Sequence, residues 1–105
     1  MYNIAILDDE IQEAQHLREI VSRYFDRKEL MERRIDLFTS GRELLNHVKA
    51  ISCDLLFLDI EVGQENGIEI GRQLRQIAPD MIMIVITGYL KYSMDGYKIQ
   101  AARYL

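Results

Sequence analysis

Short apolar runs alternate along this chain with longer stretches whose apolar residues recur every three to four positions, and that alternation restricts the fold more than any other feature. Tyr2–Leu7 (YNIAIL) is aliphatic and too short for a helix, so it reads as a strand. After it, Ala14, Leu17, Val21, Tyr24 and Phe25 follow the period of an amphipathic helix. Residues 34–38 (RIDLF) alternate as a second strand. Thr39 and Ser40 are candidate caps for a helix carrying Leu44, Leu45, Val48 and Ile51. Leu55–Asp59 (LLFLD) is the third strand, and Asn66 caps a third helix with Ile70, Leu74 and Ile77 turned inward. Pro79 and Asp80 end that helix. Residues 81–87 (MIMIVIT) form the fourth strand, 89–100 a weaker helix interrupted by Gly96, and 102–105 (ARYL) the start of a fifth strand.

Strands that are apolar at nearly every position are buried on both faces, which requires a parallel sheet with helices on each side and right-handed crossovers. The expected fold is therefore α/β: a doubly wound, parallel, five-stranded sheet of order 2-1-3-4-5, flavodoxin-like, in one domain spanning residues 1–105. A chain of 105 residues with 49% hydrophobic content fits one such core. It has no apolar run of about 18 residues and no basic-then-apolar start, so neither a membrane span nor a signal peptide is expected. Its single cysteine, Cys53, agrees with a cytoplasmic location. A net charge of −4 speaks against direct nucleic-acid binding by this chain. The charged stretch 26–34 (DRKELMERR) reads as a solvated helix end and loop.

In an open parallel sheet, functional groups gather beyond the carboxyl ends of the strands, where the strand order reverses. Asp8 and Asp9 follow the first strand, Asp59 ends the third, and Thr87 ends the fourth. Like charges this close repel unless a cation sits among them. An all-oxygen ligand set favours Mg²⁺ (or Mn²⁺) over zinc, and Mg²⁺ keeps waters and binds phosphate oxygens. That combination suggests phosphoryl chemistry with a carboxylate nucleophile. The plainer alternative makes Asp8 a helix cap and Asp59 the start of a turn. It is the commoner use of any single aspartate, and a poor account of all of them together with a threonine. His16 and His47 stand apart from the acids and read as exposed or structural. Cys53 has no histidine beside it and reads as a buried thiol rather than a nucleophile. Gly63, Gly67 and Gly71 match neither a P-loop nor GxGxxG.

The pair Asp8-Asp9 after IAIL, Asp59 closing DLLFLD, Asn66-Gly67, Thr87 ending MIVIT, and Tyr104 resemble, in order and spacing, the receiver domain of two-component response regulators. The likeness runs over essentially the whole chain. NGIEIGRQLR and ITGYLKY look most like receivers joined to a LytTR-type DNA-binding domain. The resemblance implies that Asp59 is the phosphoacceptor. It also implies that Asp9 binds Mg²⁺ directly, Asp8 acts mainly through a metal-bound water, and the backbone carbonyl of Glu61 is a further ligand. Thr87 would hydrogen-bond the phosphoryl group, and Tyr104 would be the switch aromatic. The implied partners are a sensor histidine kinase and a C-terminal effector domain in cis.

The chain departs from the family in two places. Val62-Gly63 stands where Met-Pro is frequent, and Glu65 adds an acid nearby. The sequence also stops at Leu105, before the lysine and the fifth helix that the family carries, so a receiver truncated before its last helix is expected to self-associate as a homodimer. Two alternatives to a phosphorylation-switched signalling domain are a Mg²⁺-dependent aspartyl-phosphate phosphohydrolase, with Glu61 at the general-acid position, and a phosphorylation-independent binding module.

Overall fold

The computed structural model describes residues 1–28, 32–59, 61–62, 65–86 and 103–104. The chain runs β1 (Tyr2–Leu7), α1 (Ile11–Arg27), β2 (Arg33–Phe38), α2 (Gly41–Ala50), β3 (Leu55–Asp59), β4 (Glu61–Val62), β5 (Glu65–Asn66), α3 (Gly67–Ile77), β6 (Ile82–Ile86) and β7 (Arg103–Tyr104). The main sheet has five strands in the order β2-β1-β3-β6-β7, each parallel to its neighbours. This is the expected doubly wound, flavodoxin-like order. Thr87 and the expected helix 89–100 lie outside the described residues.

The pleat divides each strand between two cores. Ile4, Ile6 and Phe57 pack with Ala14, Val21 and Phe25 of α1. Ala5, Leu7, Leu56, Leu58, Met83 and Val85 pack on the other face with Leu44 and Val48 of α2 and Ile70 and Leu74 of α3. Helices therefore pack on both faces, which is why these strands carry no polar alternation. Among the described residues the fully buried large side chains lie in β1, α2, β3, α3 and β6, and no helix is long and apolar enough to cross a membrane.

Several boundaries and orientations differ from the sequence reading. α1 reaches from Ile11 to Arg27, beyond its apolar stripe at both ends. Tyr24 is 52% exposed and Ile77 is 37% exposed, although both fit the apolar period of their helices. Tyr24 instead sets its ring edge-on to Phe25 and under the Lys28 ammonium. Ile77 is the last residue of α3, where the helix has run past the core. Ser40 occupies the N-cap of α2 without a side-chain cap bond. Met81 precedes the fourth long strand, its N–H bonded back to the Ala78 carbonyl, so that strand begins at Ile82. The charged stretch is more than solvated loop: Arg33 pairs with Asp26 at 2.9 Å and donates to the Ser22 hydroxyl at 2.7 Å, tying β2 to the end of α1.

Candidate functional site: an acidic cluster at the strand ends

Register brings the acids together. Leu7 lies opposite Leu58 in the parallel β1–β3 pair, so Asp8 and Asp59, each one residue further on, come level at the carboxyl edge of the sheet. On the other side of β3, Asp59 lies opposite Ile86, the residue before Thr87. Asp8 donates its backbone N–H to the Phe38 carbonyl at 3.0 Å, and its Oδ1 accepts the Glu10 N–H at 3.0 Å. These two bonds turn the chain from β1 into α1. Oxygen atoms of Asp8, Asp9 and Asp59 lie within 4.8 Å of one another, with Asp8 and Asp59 half-buried and Asp9 exposed.

The cluster is electrostatically costly without a cation. Burial, and after it the neighbouring Asp9 charge, raises the Asp8 carboxyl above its ordinary value, while the Glu10 N–H opposes the shift. Three carboxylates that converge in this way offer hard oxygen donors and charge to balance, which fits a small divalent cation. A titration follows from the sign of the shift. A carboxyl raised on folding binds its proton more tightly in the native state, so it lowers stability as pH rises from the ordinary value of 3.8 through the folded value. Asp8→Asn should therefore raise the metal-free Tm by a few degrees at neutral pH. The gain should fade below pH 3.8, where both states of the wild-type carboxyl are protonated. Melting both proteins in EDTA across pH reads the effect directly, and a variant that melts lower at pH 7 would contradict it.

The other expected site residues are placed as follows. Glu61 opens β4, two residues beyond Asp59 in the chain, and pairs across the antiparallel hairpin with Asn66. Tyr104 lies on the edge strand β7, its backbone opposite Val85. Asp8 is not the cap of α1: Glu10 holds that position. His16 is exposed on α1, and His47 packs its ring 4.9 Å from Phe38 with Nε2 3.6 Å from Asp36, so neither joins the cluster. Cys53 is buried, its thiol donating to the Leu55 carbonyl at 3.3 Å, and burial raises its pKa, as suits an inert thiol. The sequence reading missed the β4–β5 hairpin. Its two strands, Glu61–Val62 and Glu65–Asn66, are too short to leave a periodic signal in the sequence.

A parallel sheet of this order, with three acids gathered where β1 and β3 end, defines a doubly wound α/β domain with an acidic cluster at its carboxyl edge. The response regulator receiver domain model matches residues 4–105, and the chain belongs to that family. It is 31% identical over 105 residues to the sensory transduction protein LytR of Streptococcus mutans, an alignment covering 98% of this chain and 41% of that protein. The chain thus spans about two fifths of that relative's length. A receiver domain protein from Methanospirillum hungatei superposes with a TM-score of 0.81 at 21% identity, covering 100% of this chain and 80% of that one. The response regulator TrrA of Thermotoga maritima, solved in complex with Mg(2+)-BeF, superposes with a TM-score of 0.74 at 26% identity, covering 100% and 85%.

Proposed function

We propose that this receiver domain takes a phosphoryl group from a sensor histidine kinase onto Asp59. The convergence of Asp8, Asp9 and Asp59 oxygens within 4.8 Å carries the reading, because it sets a candidate nucleophile beside a cation site. Asp9 and Asp59 would hold Mg²⁺ with the Glu61 carbonyl, and Asp8 would act through a bound water. The cation supplies charge neutralisation for the incoming phosphoryl oxygens. An Asp59 carboxylate oxygen attacks phosphorus, the bond to the donor's imidazole nitrogen breaks, and that nitrogen keeps the electron pair. Thr87 then donates a hydrogen bond to the new phosphoryl group, and Tyr104 follows as the aromatic switch. The added charge shifts a balance between pre-existing states rather than creating a new one.

The likeness to LytTR-type receivers adds that the signal would pass to a C-terminal, DNA-binding effector domain in cis. Self-association belongs to the same reading. Ile82 is 50% exposed, and Ile84 and Ile86 are only partly buried on the face that carries α1. A second copy is expected to cover this stripe, and sedimentation at low micromolar concentration tests it, a monodisperse monomer being the contrary result. Phosphoryl uptake is tested with acetyl phosphate and Mg²⁺. One phosphoryl group retained per chain supports the switch, whereas steady release of phosphate without labelled protein supports the phosphohydrolase.

A further inference from the structure

The β4–β5 hairpin links the acidic cluster to the start of α3. Glu61 begins β4, Asn66 ends β5, and the two residues face each other across the antiparallel pair. Asn66 is at the same time the N-cap of α3: its Oδ1 accepts the backbone N–H of Ile68 at 2.9 Å and of Glu69 at 3.4 Å. α3 is in turn fixed by Ile70 and Leu74, buried against α2 and the sheet. One residue therefore joins a helix anchored in the core to the backbone that carries Glu61.

From this placement we infer that Asn66 is a positioning residue for the cation, holding the Glu61 backbone in place by capping α3 while it closes the hairpin. The inference rests on the reading of Asp8, Asp9 and Asp59 as a cation site with the Glu61 carbonyl as a ligand. A carbonyl ligand has no side-chain rotamers to search, so its position is set by the backbone pairing around it. Mg²⁺ tolerates little departure from octahedral geometry, so the support of a ligand shows up in affinity. Coupling of this kind is reciprocal: if the cap positions Glu61, cation binding must also stabilise the cap.

The test uses the full chain as wild type and as Asn66→Ala, Asn66→Ser and Asp9→Ala, with Mg²⁺ alone as the probe. Calorimetric titration should give Asn66→Ala a Mg²⁺ Kd weaker by roughly tenfold, as for other outer partners of metal ligands. Asn66→Ser, which keeps a capping oxygen, should recover most of that loss. In the wild type, Mg²⁺ should slow hydrogen exchange at the Ile68 and Glu69 amides, and in Asp9→Ala it should not. A merely structural cap predicts otherwise: a lower metal-free Tm for Asn66→Ala with an unchanged Kd, and exchange at Ile68 and Glu69 indifferent to Mg²⁺. Either result overturns the inference while leaving the cation site intact. A wild type that does not respond to Mg²⁺ at all overturns the cation reading and this inference together. Should Asn66→Ala fail to fold, exchange in the wild type still decides the matter.

Discussion

Asp59→Asn should fold like the wild type and take up no phosphoryl group from acetyl phosphate, a fall from one per chain to none. Asparagine matches aspartate in shape, so the neighbouring Leu58, fully buried on the α2 and α3 face, keeps its packing. Asp59 itself is only half-buried at the strand end, which leaves room for the amide. The amide lacks the anionic oxygen that attacks phosphorus. Beryllofluoride, which needs the same carboxylate oxygen, should likewise cease to stabilise the variant. Intact mass and thermal melting read the two effects. An Asp59→Asn protein that still gains a base-labile phosphoryl group would move the acceptor elsewhere.

Asp9→Ala should abolish most of the stabilisation that Mg²⁺ confers on the chain. Ligand that binds only the native state adds about 2.7 kcal/mol at a free concentration of about 100 times Kd. For a domain of this size, each 1 kcal/mol corresponds to roughly 4–8 °C in Tm. Asp9 is the exposed member of the cluster, so its truncation leaves no buried cavity, and removing its charge from beside Asp8 should not lower the metal-free Tm. The two effects separate cleanly in melts with Mg²⁺ and with EDTA. An unchanged Mg²⁺-dependent shift in Asp9→Ala would show that the cation binds at another place.

The sequence carried the strand ends and, once the doubly wound order is assumed, the acidic cluster, because both depend on where apolar runs stop. LLFLD ends on Asp59 and IAIL is followed by Asp8, and in-register parallel pairing of β1 with β3 does the rest. Features set by tertiary neighbours were less visible. A helical period marks Tyr24 and Ile77 as apolar-face positions, but not where the partner surface ends, and both side chains emerge into solvent. The Arg33–Asp26 pair joins residues that read as one run of surface charge, because composition is silent on which charges meet. The β4–β5 hairpin is only two residues long on each strand, too short for any hydrophobic alternation to register. Asn66 was legible as a cap, but its pairing with Glu61 is a property of the fold.

The most direct measurement is to locate the phosphoryl group. The wild-type chain is labelled with acetyl phosphate and Mg²⁺, reduced with borohydride so that an aspartyl phosphate becomes homoserine, and digested for peptide mass mapping. The account predicts homoserine at position 59 and nowhere else, and none when Mg²⁺ is replaced by EDTA. Homoserine at position 8 or 9, or phosphate found on a histidine, would contradict it.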